Sequence, residues 1–270
     1  MAQTNKPVVV VAGGSSGLGV KIGGAFASVH DGPLVLLARG KERLDEAVDR
    51  LKVEHGFDVF GMVVDASDES QVQQVVRDIV SQHGKIDVWV NAVGKSTRAD
   101  FKSTGVEEYR ALMELNFFAS LTCSLAVIPE LEKTSGSLVN IGSLASRTAW
   151  PFVAPYVTGK HALAGFCHQL RLEGPANVHF LHVCPGPIKR DDNESRYAEQ
   201  AKSLPESANK PGAGAPVKGI DPEWLAKQIV IACQRRKPEL VIPWKSRLLF
   251  SIQQIFPRLG DRLLRKLSRK

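Results

Sequence analysis

Short apolar runs at residues 8–11, 34–37, 59–64, 88–90, 138–141 and 178–183 alternate along the chain with segments of helical character. Runs rich in β-branched residues and apolar at successive positions suit strands buried on both faces, as a parallel sheet requires. The intervening segments, among them 41–55, 68–83 and 106–132, carry helix-compatible patterns, with Asp68 placed as a cap. Strand and helix in alternation predict an α/β fold, a doubly wound parallel sheet with right-handed crossovers. A chain of 270 residues fits one such domain, completed by a helix at 222–235 and a short strand at 240–242.

Charge divides the chain at residue 245. The whole carries a net charge of +7, and the tail from Lys245 to Lys270 accounts for all of it: eight Lys or Arg against the single acid Asp261. The remaining residues 1–244 are formally neutral, so the basicity does not mark the fold as a nucleic-acid binder. Within the tail, Leu248, Leu249, Ile252, Ile255, Phe256, Leu259, Leu263, Leu264 and Leu267 recur at three- and four-residue steps. Pro257 and Gly260 are expected to break this pattern into two short helices. A basic amphipathic segment of this kind either lies on an anionic membrane surface or packs as a C-terminal helix on the body or on a partner chain.

Cys123, Cys167, Cys184 and Cys233 lie far apart, with neither CxxC pairs nor histidines at metal-ligand spacing. A cytoplasmic, reducing setting and no metal are expected. Neither a signal segment nor about 18 consecutive apolar residues occur, so no membrane span is expected. The polar stretch 189–219, with its run Lys210-Pro211-Gly212-Ala213-Gly214-Ala215-Pro216, reads either as a surface loop or as a lid over a site.

Ala12-Gly13-Gly14-Ser15-Ser16-Gly17-Leu18-Gly19 follows the first predicted strand and opens a helix. Glycines there permit a tight turn and close approach of the backbone to a pyrophosphate, whose charge the helix N-terminus stabilises. In dinucleotide folds an acid about 20 residues further on accepts hydrogen bonds from the adenosine ribose. Here the second strand ends Leu37-Ala38-Arg39, with no carboxylate and with a guanidinium suited to a 2′-phosphate, which favours NADP(H) over NAD(H). Tyr156 and Lys160 stand four residues apart on a helix expected to begin near Pro155, and so share one face. A neighbouring ammonium is expected to favour the ionised tyrosine and lower its pKa, which suits it to proton transfer.

In order and spacing these features resemble the short-chain dehydrogenase/reductase family over most of the chain up to about Leu240. Residues 12–19 are similar to its TGxxxGxG loop, and Tyr156-Val157-Thr158-Gly159-Lys160 to its YxxxK. Ser143 precedes the tyrosine by thirteen residues, Asn116 falls where the family has its helical asparagine, and Asn91-Ala92-Val93-Gly94 resembles NNAG. Pro185-Gly186-Pro187-Ile188 resembles its PG motif.

The resemblance implies a Rossmann-like domain over 1–244 and an NADP(H)-dependent oxidoreductase that reduces a carbonyl or oxidises a secondary alcohol. It implies that Tyr156 transfers the proton at the substrate oxygen, Ser143 holds that oxygen, and Lys160 lowers the tyrosine pKa and binds the nicotinamide ribose. Asn116 would anchor a proton-relay water. The cofactor would contact Gly13, Ser15, Ser16, Gly17, Leu18, Gly19, Arg39, Asp65, Asn91, Gly94, Tyr156, Lys160 and Ile188. A homo-oligomer is expected, and Trp150 and Phe152 are read either as apolar substrate walls or as core aromatics. The sequence departs from the family pattern at Ala12, Ala92, Val93, Gly159 and Arg190. The alternative on the same fold is a non-catalytic dinucleotide sensor or scaffold.

Overall fold

The computed structural model describes residues 6–56, 58–189 and 197–268. Seven strands form one sheet: β1 (Val9–Ala12), β2 (Leu34–Ala38), β3 (Val59–Val63), β4 (Val88–Asn91), β5 (Ser137–Ile141), β6 (His179–Pro185) and β7 (Glu239–Ile242). The order across the sheet is β3-β2-β1-β4-β5-β6-β7, and every pairing is parallel. The chain therefore winds outward from β1 in one direction and then from β4 in the other. Between those two strands lies the switch point at which α/β sheets open a crevice.

Alternation along β1 shows why the central strands are dominated by apolar residues on both faces. Val9 and Val11 pack on one face with Leu34, Leu36, Ile22, Phe26, Leu225 and Ile229. Val8 and Val10 pack on the other with Val35, Leu37, Ile79, Trp89, Val127 and Leu131. Neighbouring strand residues point to opposite faces, so a strand between two helical layers has no polar side to spare. The edge strand β3 is the exception, with Phe60 and Val63 exposed.

One layer holds α1 (Gly17–Ala27), α2 (Lys41–His55) and α7 (Pro222–Gln234); the other holds α3 (Glu69–His83), α5 (Ala119–Thr134) and α6 (Ala154–Glu173). Local chemistry sets several ends. Asp68 accepts from the Gln71 backbone N–H at 3.1 Å at the head of α3, and Asp221 accepts from that of Trp224 at 2.8 Å at the head of α7. Gly56 and Gly84 end α2 and α3 in the left-handed region.

The helical stretch expected at 106–132 runs Val106–Thr134, but it is not one regular helix. After α4 (Val106–Met113) comes a single π turn, Glu114–Phe118, and then α5. By length and hydropathy this stretch would be able to cross a membrane. Its inner side, Ala119, Cys123, Val127 and Leu131, is core of the sheet layer.

The tail forms two helices, α8 (Ser246–Ile255) and α9 (Pro257–Ser268). Only one of the two expected breakers breaks it. Pro257 begins α9, where its missing N–H costs nothing. Gly260 lies inside α9, buried, where a Cβ would stand 2.7 Å from Cα of Gln253. There glycine serves the close approach of two helices.

Candidate active site

A cleft of ≈ 1500 Å³ lies along the carboxyl ends of the strands. Its floor at the switch point is the glycine loop. Gly13, at φ +83°, and Gly14 donate their backbone N–H groups to the Leu37 carbonyl at 2.8 and 3.1 Å. A Cβ on Gly13 would stand 2.9 Å from the Ala92 backbone, and one on Gly19 would run into the Gly13 carbonyl oxygen. The backbone thus closes on itself and leaves the first turn of α1 facing the cleft, with Ser15, Ser16, Gly17 and Leu18 lining it. Ser16 caps α1 by position, yet its side chain makes no cap hydrogen bond. Backbone N–H groups at such a helix start suit an anion.

Arg39 follows β2 directly and lines the cleft, as does Arg43, while Lys21 lines it paired with Glu223 at 2.8 Å. The Arg39 Nη1 lies 3.7 Å from Oδ2 of Asp65, a loose pair with the arginine side chain 66% exposed. Asp65 is oriented by Ser67, whose backbone N–H and hydroxyl donate to Oδ1 at 3.0 and 2.7 Å. Those bonds, the backbone one first, lower the Asp65 pKa, and Arg39 adds to the shift.

At the other end stand Ser143, Tyr156 and Lys160. Ser143 follows β5 and caps a short 3-10 turn (Leu144–Ser146), accepting from the Ala145 N–H at 3.1 Å. Tyr156 and Lys160 occupy the first turns of α6, which Pro155 helps to start. The Lys160 ammonium, 3% exposed, donates to the Ile141 carbonyl at 2.8 Å and lies 6.0 Å from the Tyr156 ring centroid. Burial lowers its pKa to about 8.

Burial also pushes the Tyr156 phenol up to about 12, while hydrogen bonding by Ser143 and the charge of Arg98 pull it down. The expected net lowering of the tyrosine pKa by its lysine is therefore corrected: removal from water outweighs the favourable partners.

Asn116 sits fully buried in the π turn. It accepts from the Lys95 N–H and donates to the Lys95 and Leu112 carbonyls, all at 3.0 Å. Gly94, at φ +157°, closes the group: a Cβ there would stand 2.8 Å from Asn116 Oδ1 and 3.2 Å from Lys160 Nζ. Gly159 has a similar reason, since its Cβ would meet Asn116 Cβ at 3.0 Å. A π turn re-aims one side chain within a helix, and here it aims the asparagine at the loop after β4.

Residues 7–201 match the family model described as short chain dehydrogenase. The chain belongs to the short-chain dehydrogenase/reductase family. Among curated relatives of this family, the uncharacterized oxidoreductase YxnA of Bacillus subtilis (strain 168) is 28% identical over 267 residues, covering 96% of this chain and 72% of that protein. Dehydrogenase/reductase SDR family member 7B of Danio rerio is 27% identical over 275 residues, covering 97% and 86%.

Among solved structures, L-sorbose reductase from Gluconobacter frateurii, complexed with NADPH and L-sorbose, matches with a TM-score of 0.73 at 27% identity, over 87% of this chain and 92% of that one. An NAD+-bound xylitol dehydrogenase matches with a TM-score of 0.78 at 20% identity over 87% and 97%, a likeness of fold. As a family member the protein is an oxidoreductase acting on alcohol or carbonyl groups with a dinucleotide cofactor.

Of the residues singled out in the sequence, Asn91 stands apart from the cleft. It accepts from the Trp89 indole at 2.8 Å and donates to Ser120 O, Ser124 Oγ and Asn140 Oδ1, so its side chain is consumed in the core. It positions the end of β4 and leaves Ala92, Val93 and Gly94 on the cleft wall. Ile188 lines the cleft and bridges to Ile220. Trp150 lines it too, whereas Phe152 holds the chain at φ +63° and accepts from the Ala99 N–H through its carbonyl. Arg190 lies outside the described residues.

Two constellations went unread in the sequence. Arg98, 4% exposed, donates to the carbonyls of Ala208 at 2.5 Å, Thr97 at 3.0 Å and Lys210 at 3.2 Å, and stacks 3.8 Å from the Tyr197 ring centroid. With Trp150 donating to Ala213 O at 2.9 Å, it holds 197–219 along the cleft. Behind Ser143, His182, Cys184 and Glu239 cluster as a metal site would. The Glu239 oxygens already face Arg147 at 2.6 Å and Arg247 at 3.0 Å, and two guanidinium groups there oppose a cation. The cluster instead ties α8 to the strand ends.

Proposed function

We propose that the protein uses NADP(H) to reduce a carbonyl, or to oxidise the matching secondary alcohol, with Tyr156 transferring the proton. The observation that carries this reading is the convergence of Tyr156, Ser143 and Lys160 on one wall of a cleft whose other end is a glycine loop closed too tightly for any side chain at Gly19. That loop and the open first turn of α1 fit a pyrophosphate. Gly13, Ser15, Ser16, Gly17, Leu18 and Gly19 would hold it; Asp65 would face the adenosine, and Gly94, Ile188 and Lys160 the nicotinamide half. The bound dinucleotide supplies or accepts the hydride.

Tyr156 keeps its proton at neutral pH because burial raises its pKa, which suits a donor to a carbonyl oxygen. Ser143 orients that oxygen by hydrogen bonding. Lys160, with its lowered pKa, exchanges protons with less resistance than an exposed lysine and re-protonates the tyrosine. Asn116 fixes the loop 94–95 against which the lysine rests. The segment 189–219 acts as a substrate lid, supported in its described part by the Arg98 and Trp150 clamps.

Arg39 supports NADP(H) over NAD(H): it stands where an acid would otherwise meet the ribose, and Arg43 adds a second guanidinium to the cleft lining. A turnover screen of carbonyls and alcohols of graded chain length, run with NADPH and NADH in parallel, tests the reading. Faster turnover with NADPH is expected; equal use of both removes the role given to Arg39, and binding without turnover leaves a dinucleotide sensor.

A further inference from the structure

The hairpin of α8 and α9 turns two different faces to two environments. Inward, Phe250 and Leu264 are buried, and Leu249, Leu264 and Leu267 line the cleft. The hairpin is fixed in place: Arg247 pairs with Glu239 at 3.0 Å, Thr148 donates to Gln253 at 2.7 Å, and Gly260 closes on Gln253. Outward it still exposes large apolar side chains, with Trp244 66%, Leu248 62%, Ile255 67%, Phe256 60% and Leu259 46% accessible. Five such residues within sixteen positions exceed the scattered exposure of an ordinary surface.

Basic residues surround this apolar face. Arg258, Arg262 and Arg265 recur at four- and three-residue spacing along α9, all exposed, with Lys266 beside them. Because residues 1–244 are formally neutral, the tail alone sets the net charge of the molecule. A second copy of this hairpin would bring a charge of like sign against it, which opposes self-association through this face. An apolar stripe flanked by guanidinium and ammonium groups matches a surface that is apolar beneath and negative at its boundary.

We propose that the outer face of the α8–α9 hairpin docks on an anionic lipid bilayer, seating Trp244, Leu248, Ile255, Phe256 and Leu259 at the acyl boundary and Arg258, Arg262, Arg265 and Lys266 among the headgroups. Each basic residue near an anionic leaflet adds to the attraction. Docking therefore weakens with salt, which screens the charges. The same hairpin forms part of the cleft wall, so the docked face and the cleft share one element.

The full chain, sedimented with vesicles of phosphatidylcholine alone or mixed with phosphatidylglycerol, is expected to bind the anionic vesicles at least about tenfold more tightly, and less so in high salt. R258E/R262E/R265E removes the preference for anionic vesicles. L248S/I255S/F256S lowers binding to both kinds, with melting temperatures showing that each variant is folded. If the triple-serine variant does not fold, the charge-reversed variant alone decides. Equal binding to neutral and anionic vesicles, unchanged binding by a folded variant, or a dimer broken by L248S/I255S/F256S in a chain that ignores vesicles overturns the proposal.

Discussion

Raising the pH through about 8 is the perturbation to which Lys160 responds first. Lys160 is 3% exposed, and its ammonium donates to Ile141 O at 2.8 Å in place of a full hydration shell. Burial lowers its pKa from 10.5 to about 8. That shift corresponds to about 3 kcal/mol of lost preference for the charged form. A hydrogen bond to a charged group contributes about 1.5–3 kcal/mol and does not restore a full shell. The sign follows directly: the lowered pKa makes the lysine lose its proton as pH rises through about 8, well before an exposed lysine would.

If Lys160 re-protonates Tyr156, carbonyl reduction holds steady below that pH and then falls about tenfold per pH unit. Alcohol oxidation rises toward a plateau across the same range. The assay is the initial rate of NADPH oxidation from about pH 6 to about pH 10 with a carbonyl that does not itself titrate. K160R, whose guanidinium stays charged throughout, keeps its residual rate free of the inflection near pH 8. A reductive rate flat up to about pH 10 in the parent, or an inflection that persists in K160R, refutes the role given to the lysine.

Three further outcomes follow from other parts of the molecule. R39D removes the guanidinium after β2 and sets a carboxylate near Asp65; NADPH affinity by fluorescence titration is expected to fall about tenfold while NADH affinity holds or rises, and a parallel loss of both points to a structural role. R98M leaves the Ala208, Thr97 and Lys210 carbonyls without their donor. It is expected to cost about 1–3 kcal/mol of stability, raise the KM for the carbonyl and open 197–219 to limited proteolysis, with R98K recovering part of each; an unchanged digestion pattern contradicts the clamp. Burial holds His182 at a pKa of about 3, so the unfolded chain takes up a proton that the folded one refuses, and stability declines as pH falls below about 6.5. At about pH 5 this linkage amounts to roughly 2 kcal/mol, and urea unfolding of H182Q is expected to lack that part of the pH slope; identical slopes sink it.

The alternation of apolar runs was enough to give the doubly wound sheet, because a strand between two helical layers has no polar face and its pattern is unlike that of a loop. It did not distinguish the open edge strand β3, whose Phe60 and Val63 look as apolar in sequence as any buried pair. The π turn at Glu114–Phe118 was illegible for a similar reason: one extra residue in a helix leaves no compositional trace, although it aims Asn116. Gly159 stands apart from the motif for a packing reason, since a Cβ there would come within 3.0 Å of Asn116 Cβ.

Local motifs with fixed spacing placed Ser143, Tyr156, Lys160 and the glycine loop in one cleft. Asn91 came with the same motif, yet its donors and acceptors are spent in the core. Arg98 belongs to no spacing rule, since the Ala208 and Lys210 carbonyls it holds lie about a hundred residues away in the chain. The cluster of Arg147, Arg247, His182 and Glu239 joins four distant segments, which only the fold brings together.

The proposed reaction has Tyr156 hand a proton to a carbonyl oxygen while NADPH is consumed. Once the carbonyl screen has found a turned-over compound, the decisive measurement is the rate of NADPH oxidation by the parent and by Y156F with that compound, alongside NADPH affinity for each. Y156F is expected to keep NADPH affinity and lose at least about a hundredfold in kcat, since the phenyl ring fills the same wall without a proton to give. A Y156F variant that oxidises NADPH as fast as the parent contradicts it.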